Sequence, residues 1–321
     1  MTATRELGGF LADPALRISD DHIDRAVDCL VDTLGCMVFG AGQPWSQRAA
    51  AHARRTGGDG GPCPVVGSGF ATSAPMAAFA NGASGHAFEL DDVHEEAISH
   101  PGAVVIPAVL AIAAETGASG LAVLEAIVVG YEAMGRAGIA VGPASHMLAG
   151  YHPTGQSGVF GSAAAVGHLL DFGSGMMTHA LGIAATFSSG TTEFNQSGGD
   201  TKRLHAGRAA EGGLTAALLA ADGFDGPADG LAGRYGFCRI STTEPAVNLL
   251  TDNLGDRWMI DEITVKPYAA CSDIHPLIDA ALEIRGRGVR ADDIAEIHAE
   301  VPTKAAEQNS QDGTTSVMAS Q

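Results

Sequence analysis

The stretch GGDTKRLHAGRAA, residues 198–210, leads into an apolar segment that continues to residue 219. Residues 204–219 carry small and aliphatic side chains at most positions, which is typical of a helix buried on most of its sides. Lys202 and Arg203 lie at the start of this helix, where the first backbone N–H groups have no partner within the helix. The stretch therefore predicts a buried helix whose first turn can bind a carboxylate or a phosphate, with a solvated helix start as the alternative reading.

Helical periodicity continues along most of the chain. Ser19, followed by two aspartates, predicts a capped helix start, and apolar residues then recur at helical spacing as far as Gly40. Further apolar runs, joined by loops that contain glycine or proline, cover residues 73–88, 104–115, 120–138, 158–170 and 176–187. We therefore expect a mainly α protein with a large all-helical domain over residues 1–258.

The pattern changes after Trp258. Residues 260–265 alternate between apolar and polar, residues 271–285 have the period of an amphipathic helix, and residues 294–301 alternate again with β-branched side chains. The order strand, helix, strand predicts the start of a smaller α/β domain over residues 259–321. Because two strands and one helix cannot cover both faces of a sheet, we expect this domain to be incomplete at residue 321.

Composition limits the classes of partner. The formal net charge of −19 argues against nucleic acid and acidic membranes, because both require a basic surface. The apolar stretches are interrupted every few residues by Gly, Pro, Ser or His, so no membrane span is predicted. An anionic substrate would need a local positive pocket.

Cysteine usage and the N-terminus indicate a compartment. The chain has five cysteines without a C-x-x-C pair, so neither a disulfide framework nor a zinc knuckle is predicted. Its first residues, MTATRE, are not a basic leader followed by an apolar run, so we expect no signal peptide. The expected location is therefore the cytoplasm.

An acidic loop, ELDDVHEEAISHP at residues 89–101, separates two apolar runs. Crowded carboxylates raise one another's pKa, which favours general acid or base chemistry near neutral pH. Histidine and carboxylate ligands also suit zinc, manganese or iron, but the spacing of His94 and His100 matches no metal motif, so we predict no metal site. A solvated acidic loop is the third reading.

Two further polar segments contain proline and precede predicted helices. In GYHPTG, residues 150–155, His152 lies near a helix N-terminus, where an anion is favoured. In KPYAACSDIHP, residues 266–276, His275 could project from the smaller domain toward the larger one.

In this order, these segments resemble the MmgE/PrpD family, whose members include 2-methylcitrate dehydratase, cis-aconitate decarboxylase and iminodisuccinate epimerase. The resemblance rests on Asp91-Asp92 with His100-Pro101, on residues 150–155, on TKRLHAG at residues 201–207, and on Lys266-Pro-Tyr with Cys271 and His275. It implies a large helical domain, a smaller α/β lid, a homodimer, an active site in the cleft between the domains, and no metal or organic cofactor.

The resemblance also implies site residues. The implied catalytic residues are Asp91, His100, His152, Lys202 and His275, and the implied substrate-binding residues are Glu89, Asp92, Tyr151, Arg203 and Cys271. We assign Lys202 as the carboxylate anchor, His152 or His275 as the proton shuttle, and Asp91 as an orienting group or base.

The predicted function is that of a cofactor-independent lyase or isomerase, which moves a proton next to a carboxylate of a small di- or tricarboxylate. A 2-methylcitrate dehydratase-like activity is the first reading, with a cis-aconitate-type decarboxylase or an iminodisuccinate-type epimerase as alternatives. Two other classes remain open: a metal-dependent hydrolase that uses the loop from Asp91 to His100, and an inactive, truncated relative.

Overall fold

A computed structural model describes residues 2–303 and 305–306 of the chain. The α-helices of the described residues are α1 (Ala3–Leu11), α2 (Asp20–Gly40), α3 (Pro44–Gly57), α4 (Ala74–Gly85), α5 (Gly102–Thr116), α6 (Gly120–Ile139), α7 (Pro143–Leu148), α8 (Pro153–Leu169), α9 (Ser174–Phe187), α10 (Phe194–Ser197), α11 (Thr201–Ala221), α12 (Phe237–Ile240) and α13 (His275–Gly286). The strands are β1 (Cys63–Val65), β2 (Phe70–Thr72), β3 (Val93–His94) and β4 (Ile263–Thr264). The mainly α fold class is therefore confirmed.

Most predicted helices are present, with shifted ends. The start of α2 is capped as expected, because the Ser19 hydroxyl accepts a hydrogen bond from the His22 N–H at 3.2 Å. Helix α8 begins at Pro153, five residues before the predicted run, since proline is well tolerated in the first turn of a helix. Helices α1 and α3 were not predicted. Helix α3 is rich in alanine and arginine and has no long apolar stripe from which periodicity can be read.

Helix α11 lies at the centre of the packing, against α4, α8 and α9. Glycines allow the helix backbones to touch. A Cβ atom on Gly207 would lie 2.4 Å from the Phe79 carbonyl oxygen of α4, and one on Gly213 would lie 2.3 Å from the Val159 carbonyl oxygen of α8. We call these backbone contacts of Gly207 and Gly213 with α4 and α8 the glycine seam. The glycine seam fixes the first turn of α11 relative to the end of α4.

The chain after Trp258 differs from its prediction. Residues Met259–Glu262 form a 3₁₀ turn, and β4 follows, pairing antiparallel with β3 of the acidic loop. Helix α13 agrees with the predicted helix, but the predicted strand at residues 294–301 is wrong, because no strand is formed there. An alternating pattern forms a strand only where a neighbour can pair with its N–H and C=O groups. The division into two domains at residue 258 stays a prediction.

No helix among residues 2–303 is both long and apolar enough to cross a membrane. All five cysteines are free thiols, and four of them are buried.

Candidate active site

The polar residues of the site come from four places in the fold. They are the loop between α4 and α5, the start of α8, the first turn of α11, and the segment just after β4. Pairing of β3 with β4 brings the segment just after β4 against the acidic loop. The glycine seam brings the first turn of α11 toward the same loop. Segments distant in sequence therefore meet around residues 86–100.

Glu89 is at the centre of a cluster of cations. Its side chain is buried, and its Oε1 atom lies 2.6 Å from Lys202 Nζ and 3.3 Å from Arg203 Nη1. Lys266 Nζ donates to the Glu89 backbone carbonyl at 3.0 Å and lies 3.8 Å from Oε2. Burial alone would raise the pKa of Glu89, but Lys202, Lys266 and Arg203 hold it well below its usual value. Three cations thus surround one ionised carboxylate, a local excess of positive charge in an acidic chain.

Asp91 and Asp92 are adjacent and fully buried, but their partners differ. Asp91 Oδ2 lies 2.7 Å from His86 Nδ1, whereas Asp92 accepts hydrogen bonds from the Tyr131 hydroxyl at 2.6 Å and from the Gly102 N–H at 2.9 Å.

These different partners give the two carboxyls different pKa values. Burial would raise the pKa of Asp91, but His86 and His100 bring it below its ordinary value. Burial raises the pKa of Asp92 to about 7, since Tyr131 and Gly102 lower it only in part. Asp91 is therefore an ionised carboxylate, and Asp92 exchanges its proton near neutral pH.

Four histidines form a continuous cluster beside the aspartates. The ring centroids of His86 and His100 are 4.9 Å apart, those of His86 and His152 are 5.9 Å apart, and those of His152 and His205 are 5.1 Å apart. His100 Nδ1 lies 2.8 Å from the Asp92 carbonyl oxygen, which can only accept, so Nδ1 carries the proton. Burial and the nearby Lys266 lower the pKa of His100 to about 3. His100 is therefore neutral at physiological pH, with a lone pair on Nε2 that can accept a hydrogen bond.

His152 and His205 share a proton. Their Nδ1 atoms are 3.0 Å apart, so one ring donates and the other accepts. Burial and the neighbouring histidines lower the pKa of His152 well below its usual value, and burial lowers that of His205 to about 4. In a pair of neutral rings, the one that accepts at Nδ1 carries its own proton on Nε2. The pair therefore always presents one Nε2–H group.

His86, Asp91 and His100 form a group that could hold a metal ion, because one ligand atom of each lies within 4.8 Å of the others. Two imidazoles and a carboxylate suit zinc, manganese or iron. In the structure, His86 and Asp91 are in direct hydrogen-bond contact at 2.7 Å. The sequence predicted no metal site, and His86 was not among its candidates.

The structure brings together most of the predicted site residues. Those that meet around the acidic loop are Glu89, Asp91, Asp92, His100, His152, Lys202 and Arg203. Cys271 is close enough to Lys202 for its thiol pKa, raised by burial, to be partly lowered by that charge. Tyr151 instead stacks on His146, with ring centroids 4.7 Å apart. The described contacts of His275 are with Ala270 and Tyr268 of its own segment.

Four residues of the site were not among the candidates: His86, Tyr131, His205 and Lys266. His205 lies in TKRLHAG, and Lys266 is the first residue of KPYAACSDIHP, so membership of these motifs could have identified both as site residues. His86 follows the last residue of α4, only five residues before Asp91. Tyr131 lies within α6, after an apolar run and directly before Glu132, and gives no signal in the sequence.

Known proteins are similar to this chain in sequence. The profile of the MmgE/PrpD N-terminal domain matches residues 6–250. A cis-aconitate decarboxylase of Aspergillus terreus is 34% identical over 282 residues, which cover 84% of this chain and 57% of that protein. A cis-aconitate decarboxylase-like protein of Aspergillus oryzae is 33% identical over 297 residues, covering 86% and 60%. The human cis-aconitate decarboxylase is 32% identical over 216 residues, covering 65% and 44%. This chain thus spans little more than half the length of the fungal relatives.

Proposed function

We infer the function from one premise: this chain belongs to the MmgE/PrpD family. We propose that it is a lyase that decarboxylates cis-aconitate, or a tricarboxylate of very similar shape, without a cofactor. The first reading of the sequence, dehydration of 2-methylcitrate, gives way to its decarboxylase alternative because the relatives described above are cis-aconitate decarboxylases. The observation that carries the proposal is the group of three cations beside neutral, buried histidines.

The cations suit a substrate with several carboxylates. Lys202 has three N–H donors, and its contact with Glu89 uses one of them. Charge-assisted hydrogen bonds to carboxylates are about twice as strong as neutral ones, and they are stronger again where water is excluded. We assign Lys202 as the substrate-carboxylate anchor, with Arg203 and Lys266 keeping Glu89 neutralised around it.

The reaction needs a cation and a proton donor at defined places. In cis-aconitate, one carboxylate is on the saturated carbon next to the double bond. When its C–C bond breaks, CO₂ leaves and the electron pair forms a new double bond to the central carbon. The pair of the old double bond then takes a proton at the far alkene carbon, which yields a methylene-substituted succinate. Negative charge develops beside the carboxylate on that far carbon, where a lysine lowers the barrier.

The histidines suit the proton transfer. The His152–His205 pair presents an Nε2–H group. As the ring that carries this group gives its proton to the substrate, it takes the shared proton at Nδ1, and the other ring takes a proton from solvent at Nε2, so neither ring is left as an imidazolate. We assign His152 as the proton donor, because it also contacts His86 and so lies inside the cluster. His100 is neutral, and its lone pair on Nε2 is suited to accept a hydrogen bond from water or from another donor in the site.

Two further properties are proposed with the activity. A cytoplasmic location is supported by five free cysteines, since reducing compartments keep thiols unpaired. A homodimer is supported by exposed apolar side chains on α2, including Val31 at 64% and Phe39 at 52% exposed. Light scattering should give twice the chain mass, and a stable monomer would contradict the dimer.

The activity is tested by incubating the purified chain with cis-aconitate, 2-methylcitrate, citrate and iminodisuccinate, and following products by ¹H NMR. Decarboxylation in D₂O should place one deuterium on the former far alkene carbon of cis-aconitate. Turnover of 2-methylcitrate alone would restore the dehydratase reading. Arg208→Gln is the matched control, because Arg208 lies on the same helix as Lys202 but forms an exposed ion pair with Glu211.

A further inference from the structure

We propose that His86 is a positioning residue that fixes the carboxylate of Asp91 through Nδ1 and leaves Oδ1 of Asp91 as an acceptor for water or for a protonated group in the occupied site. This inference rests on the proposed function for its catalytic meaning. Its structural part, the control of Asp91 by His86, can be measured without activity.

The backbone fixes where His86 lies. His86 follows the last residue of α4, and its N–H donates to the Gly82 carbonyl at 3.1 Å, so the end of the helix sets its position. The side chain is fully buried, and Nδ1 lies 2.7 Å from Asp91 Oδ2. An ionised carboxylate only accepts hydrogen bonds, so the proton of this bond belongs to Nδ1 of His86.

Two atoms of this pair are left open. Oδ1 of Asp91 and Nε2 of His86 are buried, and neither has a hydrogen-bond partner among the described residues. A buried polar atom without a partner costs about 1–3 kcal/mol, so such atoms mark places where a ligand or water completes the bonding. Both open atoms belong to one hydrogen-bonded pair inside the histidine cluster. A water molecule, or another group that carries a proton, can therefore bind to this pair.

His86 is the partner that distinguishes Asp91 from Asp92. The second histidine near Asp91, His100, lies farther away, with Nδ1 at 3.7 Å from Oδ2, and its Nδ1 proton is already used by the Asp92 carbonyl oxygen. Without His86, Asp91 would keep only the more distant His100 near its carboxylate, while Asp92 would keep its bonds from Tyr131 and Gly102. Asp91 would then take up a proton at higher pH and would rotate more freely about its side-chain bonds.

The test compares two substitutions of His86. In His86→Asn, the amide nitrogen occupies nearly the place of Nδ1 and can still donate to Asp91. In His86→Leu, the donor is lost while the buried volume is roughly kept. The matched control is His146→Leu, because His146 is also buried, with Nδ1 bonded to the Ser241 carbonyl oxygen and Nε2 without a partner, yet it does not contact Asp91.

Two measurements are needed. The first is the pH titration of the Asp91 carboxyl by ¹³C NMR, assigned with Asp91→Asn. The second is the acidic limb of kcat/KM toward cis-aconitate. His86→Leu should move both upward by at least about one pH unit, since a single donor or opposite charge shifts a carboxyl by about that much. His86→Asn should restore both to within about half a unit.

The outcomes separate the two proposals. If the parent chain converts none of the polycarboxylates, the proposed function fails, while the Asp91 titration still decides the role of His86. If His86→Leu titrates like the parent, or His146→Leu shifts as much, His86 is only a packing residue and the inference is wrong. If His86→Leu does not fold, His86→Gln takes its place, because its longer side chain moves the amide away from the position of Nδ1.

Discussion

Replacing Lys202 with methionine removes one of three cations around the buried carboxylate of Glu89 and, in the proposed reaction, the anchor of a substrate carboxylate. Methionine keeps the length of the side chain, so the change is mainly one of charge. The substitution therefore has two expected effects, one on the free energy of unfolding and one on catalysis. The structure allows each to be estimated.

The effect on stability should be limited. Breaking a buried ion pair by removing one partner costs about 3–5 kcal/mol. Arg203 and Lys266 remain 3.3 Å and 3.8 Å from the carboxylate, so we expect the lower end of that range, about 3 kcal/mol. For a chain of this length, that corresponds to a fall in Tm of roughly 5 °C.

The expected fall in kcat/KM is larger than the lower stability of the variant can explain. A hydrogen bond to a charged group contributes about 1.5–3 kcal/mol, so kcat/KM should fall roughly 10- to 150-fold at a temperature where the variant is fully folded. Arg208→Gln should change kcat/KM less than about twofold, because its ion pair is exposed.

A second substitution separates the two effects. In the Glu89→Gln background the carboxylate that Lys202 pairs with is absent. If Lys202 binds substrate, Lys202→Met should lower kcat/KM in this background as much as it does in the parent. If Lys202→Met changes nothing once Glu89 is glutamine, Lys202 serves only to neutralise Glu89, and the assigned anchor is wrong.

Three other predictions test separate parts of the structure. Dialysis against EDTA should leave activity unchanged, because the proposed proton transfers use side chains alone; activity lost and then restored by one divalent ion would favour the metal-dependent hydrolase reading. Asp92 has a pKa raised to about 7 in the fold, so between about pH 4 and 7 the folded state holds a proton that the unfolded chain has lost, and stability falls as pH rises. Asp92→Asn, which stays neutral, should therefore flatten the decline of Tm over this range, and an unchanged slope would contradict the raised pKa. Gly207→Ala should lower stability by about 1–3 kcal/mol, because its Cβ would lie 2.4 Å from the Phe79 carbonyl oxygen; calorimetry showing an unchanged Tm would disprove the tight seam.

Local sequence patterns were sufficient for the fold class and for several ends of helices. The cap at Ser19 and the buried character of α11 follow from residue type and period alone, which involve neighbours within one helix. The strand expected at residues 294–301 shows the limit of such patterns. Alternation describes a segment that can pair, and whether it does depends on a partner elsewhere in the chain.

The composition of the site was predictable, but its pairings were not. Lys202 and Glu89 each lie in a recognisable motif, but they are 113 positions apart in sequence, and no period relates them. Tyr131 fixes Asp92 from the middle of an apolar helix, where a tyrosine is usually read as core. The difference in pKa between Asp91 and Asp92 depends on these tertiary partners. Two adjacent aspartates in the sequence give no sign of this difference.

The glycine seam between α4, α8 and α11 has a consequence for how this protein can change. Because these backbones touch, a substitution there moves whole helices, and the first turn of α11 with Lys202 moves with them. The loop between α4 and α5 takes no part in this backbone contact, but its residues His86, Glu89, Asp91, Asp92 and His100 form the site. A library that seeks activity on another polycarboxylate should therefore vary the remaining loop residues and keep every glycine of the seam. The specificity could then change while the packing of α4, α8 and α11 stays the same.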